Sequence, residues 1–149
     1  MKLITILFLS FILGKGCESE TQEDLKTTII EYTANTRGFY QKIVIQNKTI
    51  SVSKNRDEKN MPTATKLSDA DWKFLVTEFQ KIKLDKMSTY KGPTEKRFYD
   101  GAAIGDFKIV HKDKIYQCGN FDAGTPPVEI AKFVNKVVDL GNANYKEIK

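Results

Sequence analysis

Eleven consecutive residues, Thr94-Glu95-Lys96-Arg97-Phe98-Tyr99-Asp100-Gly101-Ala102-Ala103-Ile104, hold this chain's densest set of groups able to do chemistry. They bring two carboxylates, a guanidinium and two aromatic rings together directly after the loop marker Gly92-Pro93. Sixty residues before Arg97, Thr36-Arg37-Gly38-Phe39-Tyr40 again places an arginine ahead of Phe-Tyr, with one glycine between. Arginine occurs only three times (Arg37, Arg56, Arg97) against 21 lysines, so two of the three stand before a Phe-Tyr pair. Arginine with aromatics is the composition enriched at interface centres, and the planar guanidinium clamps carboxylates in a fixed fork. If the two stretches lie side by side on a sheet, Arg37, Tyr40, Arg97, Tyr99, Asp100 and Asp122 form one binding patch for a protein or small ligand. The competing reading has both arginines fastening turns through internal salt bridges, with Phe39 and Phe98 in the core.

Catalysis finds less support. Glu95, Asp100, Asp106 and Asp122 are the acids nearest the glycine-rich turns, and a carboxylate pair can do general acid–base work. Asp100-Gly101 reads first as turn chemistry, however, and Asp122 as the acceptor for a loop amide or for Arg97. No Ser-His-Asp set, phosphate-cradling glycine loop or metal box is present, and Gly38, Gly101 and Gly105 match no fingerprint. His111 is the only histidine and Cys118 stands far from Cys17, whereas zinc sites draw on clusters of Cys and His. The expectation is a non-catalytic domain with no metal and no cofactor. Two rival functions are an inhibitor of a hydrolase that presents the Gly119–Gly124 loop, and a small hydrolase in which Asp100, Asp122 or Glu95 converge.

The elements that must position these groups read as two rounds of hairpin then helix. β-Branched and aromatic residues make Leu25–Thr33 a strand. Ala34–Gly38 turns the chain, with Gly38 free to take positive φ. Phe39–Gln46 and Thr49–Ser53 are strands joined by the two-residue loop Asn47-Lys48. Lys54–Lys66 is polar, contains Pro62 and reads as a loop. Ser68 then caps a helix with Trp72, Leu75, Val76, Phe79 and Ile82 along one stripe. After a connection from Leu84 to Pro93, Ile104–Val110 and Lys114–Cys118 form a second hairpin around Lys112-Asp113, and Gly119–Gly124 is a loop. Thr125-Pro126-Pro127 starts a helix with Ile130, Phe133, Val134, Val137 and Val138 facing inward, closed by Gly141. The spacing of 57 residues from Ser68 to Thr125 is close to the 60 between the arginines, as a duplicated β-β-α unit would give. The predicted fold is two-layer α+β: an antiparallel sheet of about five strands under two amphipathic helices on one face.

The N-terminal end points to export. Met1-Lys2 is followed by an apolar run from Leu3 to Leu13, too short for a membrane span of about 20 residues and of the length of a signal-peptide core. Gly14 and Gly16 lead to Cys17, and residues 18–24 are polar. A cysteine there resembles the lipidated first residue of a bacterial lipoprotein, although Leu13 lies one place too far back and Lys15 intrudes. The alternative is an exported protein whose Cys17 is removed or free. The organisation read from the sequence is therefore a signal peptide over 1–16, a tether over 17–24, one domain over 25–141 and a tail over 142–149. Loss of Lys2 and Lys15 with the leader lowers the formal charge from +5 to +3, with acids interspersed among the lysines, which argues against nucleic acid as a partner. Within the domain Cys118 has no partner for a disulfide, and its alternating segment marks it as a buried structural thiol.

These features together resemble a group of small envelope lipoproteins of Bacteroidota type. The resemblance is carried by the signal with Cys17, by Thr36-Arg37-Gly38-Phe39-Tyr40, by Pro93-Thr94 with Arg97 and Asp100-Gly101-Ala102, and by Phe121-Asp122 ahead of Pro126-Pro127. It implies a cell-envelope location with membrane attachment through lipid on Cys17, and it implies no activity and no oligomeric state.

Overall fold

Alternation of apolar and polar residues builds one antiparallel sheet. The computed structural model describes residues 24–57, 59 and 61–147; the leader, Cys17 and most of the tether lie outside these residues. The five expected strands are β1 (Ile29–Asn35), β2 (Tyr40–Gln46), β3 (Thr49–Ser53), β5 (Ile104–His111) and β6 (Lys114–Gln117). Two further strands of two residues each, β4 (Thr65–Lys66) and β7 (Phe121–Asp122), lie in segments expected to be loops. The sheet order is β4-β3-β2-β1-β5-β6, and β7 pairs with β5 as well.

In-register rows on one face make the core. Ile30 lies between Ile45 and Ile109, and Tyr32 between Ile43 and Phe107. All six side chains are buried. The other face stays polar at its centre, where Glu31 pairs with Lys42 at 3.4 Å and Lys108 at 3.1 Å. Both tight hairpins form as expected. Asn47 and Lys48 have φ of 47° and 60°, and Lys112 and Asp113 have 49° and 61°, the left-handed pair that suits the twist of a two-residue hairpin.

The strand expected from Leu25 starts four residues later. Asp24–Thr27 is a helical turn instead, because the hydroxyls of Thr27 and Thr28 donate back to the Asp24 carbonyl at 3.1 and 2.7 Å and Leu25 is fully buried. Such back-bonding competes with the extended ladder.

Helix α1 (Asp69–Phe79) follows the reading closely. Ser68 accepts from the Asp71 amide as its N-cap, and Trp72, Leu75, Val76 and Phe79 face inward. Ile82 is buried just beyond the helix end. Asp71 also ties α1 to the second helix through Lys136 at 2.6 Å.

Helix α2 runs from Ala131 to Glu147 and is displaced at both ends from the expected Thr125–Gly141. Thr125 forms a bridge with Asp122 rather than a cap. Gly141 does not terminate the helix. A Cβ there would lie 2.3 Å from Ile43 Cδ1, so the missing side chain is what lets helix and sheet approach. The expected tail is therefore helical to Glu147, with Asn142 Oδ1 accepting from Gln41 Nε2 at 3.0 Å. Phe133 of α2 meets Phe107 and Phe79 edge-on or tilted, at 5.9 and 6.3 Å between ring centres. Both helices thus cover the same face, and the fold is two-layer α+β.

Candidate functional site

One residue explains why the two arginine stretches meet. Asn35, the last residue of β1, is in register with Tyr40 on one side and with Ile104 on the other. The two stretches therefore begin strands at the same end of the sheet. Ile104 pairs in turn with Asp122 of β7, which carries that acid to the same place.

Asp122 is 1 % exposed and accepts four hydrogen bonds. Its Oδ2 takes the Thr94 hydroxyl at 2.6 Å and the Lys96 amide at 2.7 Å. Its Oδ1 takes the Arg97 amide at 2.9 Å and the Arg97 guanidinium at 3.1 Å. Burial pushes this carboxyl up, but the hydrogen bonds, that of Thr94 foremost, outweigh it and hold the group well below the usual carboxylate range. Arg97 also donates to the Thr94 carbonyl at 2.8 Å, and its side chain is 12 % exposed. Asp122 thus serves both roles read for it, loop-amide acceptor and partner of Arg97.

This fastening leaves the aromatics outside. Lys96–Tyr99 forms a single 3-10 turn closed by Asp100 in the left-handed region, φ 59°. Phe98 is 72 % exposed beside the Arg97 guanidinium, and Tyr99 is 71 % exposed. Phe98 is therefore not a core residue. Phe39 is also partly open, with Lys54 Nζ 5.2 Å from its ring centre and 5.0 Å from that of Tyr145.

The first stretch is fastened by a residue that sequence reasoning missed. Arg56 Nη2 donates to Asn35 Oδ1 at 2.7 Å and to the Thr36 carbonyl at 2.5 Å, with the Phe39 carbonyl at 3.4 Å. Its guanidinium stands 5.8 Å from the half-buried Tyr40 ring. Arg37, by contrast, is exposed and joins no ion pair among the described residues. Gly38 does not use its freedom; Gly124, at φ 92°, is the glycine in the left-handed region among the described residues. The signal for Arg56 was the scarcity of arginine itself, which made all three worth following.

Two clefts result. All three arginines line the smaller, of about 280 Å³, together with Asp100, Asn35 and Ile104. The larger, of about 480 Å³, lies across Arg97 and Ile104, which belong to both walls, and adds Phe98, Glu95, Lys91 and Asn120. Of the expected patch, Arg37, Arg97 and Asp100 therefore surround one cleft, Asp122 supports it from beneath, and Tyr40 and Tyr99 line neither cleft. Glu95 lines the larger cleft and Asp100 the smaller. The Gly119–Gly124 segment does not protrude, since Phe121 and Asp122 are buried.

No family model, curated protein or solved structure matches this chain. Function is read from the site's own chemistry.

Elsewhere the reactive groups are occupied structurally. Burial pushes the Cys118 thiol up to about 11. His111, at the opposite end of the sheet, holds the Thr28 hydroxyl at 2.7 Å and meets Phe79 edge-on; burial lowers its pKa. Among the described residues no three His, Cys, Asp or Glu side chains group as a metal site.

Proposed function

We propose that this chain is a non-catalytic binding domain of an exported, lipid-anchored envelope protein, with the 94–101 segment as its partner-binding platform. The observation that carries the reading is the pairing of a buried fastening with exposed rings: Asp122 anchors Thr94, Lys96 and Arg97, while Phe98 and Tyr99 next to them stay more than two-thirds exposed. Aromatics presented on an already ordered segment lose little conformational freedom on binding, which favours them as interface anchors. The pattern Met1–Cys17 supports export and attachment.

Crosslinking of the full chain in its native envelope, with wild type against Phe98→Ser/Tyr99→Ser, tests this reading. The double variant should fold with unchanged stability, to within about 0.5 kcal/mol as expected for surface sites, and lose the crosslinked partner. An identical crosslinking pattern in wild type and variant would remove the platform reading. Acyl labelling of wild type but not of Cys17→Ser would support the anchor.

A further inference from the structure

We propose that the three-arginine cleft binds a peptide carboxylate, with an apolar side chain of the same peptide seated in the adjoining cleft. This deepens the binding-domain reading and rests on it. The charge balance of the cleft leads to the ligand. Arg97 is neutralised by Asp122, but Arg37 and Arg56 have no acidic partner within ion-pair distance among the described residues. Arg56 spends one nitrogen on neutral oxygens, Asn35 Oδ1 and two carbonyls, which anchors it without cancelling its charge. Two guanidinium groups lining one concavity, neither in an ion pair among the described residues, match a carboxylate, which they can grip through paired N–H donors.

Asp100 sharpens the choice. It lines the same cleft with no cation within ion-pair distance among the described residues. Its negative charge opposes a doubly charged phosphate more than a singly charged carboxylate, and it can accept from a peptide N–H. At about 280 Å³ the cleft is at the small end of the usual range for ligand sites, roughly 300–1,000 Å³, with room for a terminal group. The larger cleft begins at the same Arg97 and Ile104, and Phe98 and Ile104 supply its apolar surface. Carboxylate and side chain therefore reach adjacent sites across one ridge. The carboxylate has two sources in a peptide, a chain terminus or an Asp or Glu side chain.

The test uses the full-length protein and arrays of hexapeptides with an apolar last residue, made as free acids and as terminal amides. A third set is amidated and carries an internal Glu. A free-acid peptide should bind at least about tenfold more tightly than its amide, a difference of about 1.4 kcal/mol, if the terminus is the source; the Glu set should bind and its Gln counterpart should not if the side chain is. Arg37→Gln, which removes no ion pair among the described residues, should abolish that preference in either case. Equal binding of acid and neutral peptides, preference unchanged in Arg37→Gln, displacement by inorganic phosphate as readily as by acetate, or no peptide bound in any set would each overturn the proposal. A partner that depends on Phe98 and Tyr99 but shows no carboxylate preference would overturn this inference and leave the platform reading standing.

Discussion

Arg97 and Asp122 form a buried pair, guanidinium to carboxylate at 3.1 Å, in which the acid also accepts the backbone amide of its own partner at 2.9 Å. The contact fixes the arginine's main chain and side chain through a single acceptor oxygen. It joins the turn before β5 to β7, beside the Thr94 and Lys96 bonds to the same carboxylate and the Ala123 amide to the Ala103 carbonyl at 2.8 Å.

Arg97 and Arg37 should therefore behave differently on truncation. Arg37→Ala removes an exposed side chain and should shift stability by no more than about 0.5 kcal/mol. Arg97→Ala strips a buried acceptor of one donor, and Asp122→Ala strands the Thr94 hydroxyl, two amides and a guanidinium at once. Urea unfolding should rank the variants Arg37→Ala, Arg97→Ala, Asp122→Ala in order of increasing loss. Equal midpoints for the last two and wild type would show that the pair is dispensable.

Gly141 sets two opposing effects against each other. Alanine is a better helix former than glycine by about 1 kcal/mol. A methyl group at this position, however, would have to displace Ile43, whose nearest atom is at 2.3 Å, and overpacking costs about 1–3 kcal/mol. Gly141→Ala should destabilise the protein by up to about 2 kcal/mol, while Asp139→Ala, at an exposed position of the same helix, should not. A stabilised Gly141→Ala in chemical denaturation would contradict the packing described.

Acid should weaken the fold in two stages. Both His111 and Asp122 have folded-state pKa values below their unfolded ones, so each contributes stability that is present above the unfolded pKa and lost as pH falls towards the folded value. For His111 the loss begins below about pH 6.5, and for Asp122 below about pH 4. His111→Gln should flatten the upper stage and Asp122→Asn the lower one. A stability profile for either variant that merely parallels wild type would assign the slope to other groups.

The sheet's long strands were legible because alternation over five to eight residues marks a half-buried strand, and both tight turns because two residues is the length that a twisted hairpin selects. β4 and β7 were not, since two residues carry no period. Ser68 was legible as a cap from local chemistry alone. The end of α2 was misread because Gly141 has the usual residue type of a helix stop, while its role depends on Ile43, nearly a hundred positions away. At the site, the place of Asp122 in a glycine-bounded loop suggested an acceptor for a loop amide or for Arg97, and it accepts from both. Arg56 was not, because it acts from a polar run of no periodicity on a turn it does not adjoin. Phe39 and Phe98 look like core residues by composition; their exposure follows from the way Arg56 and Asp122 consume the neighbouring backbone.

The helical turn at Asp24–Thr27 lies at the opposite end of β1 from the clefts, joined to the hairpin turns by Asn47 N donating to the Lys26 carbonyl at 3.2 Å and by Lys112 to Asp24 at 3.4 Å. Its consequence is mechanical. A partner held in the clefts of a chain tethered through its N-terminal side would pull along the axis of β1, the strand paired to β2 at six positions and to β5 at seven. Such a load shears two ladders together instead of peeling either one open, and over about 20 Å of strand it would make the central strand a tension-bearing rod between anchor and cargo.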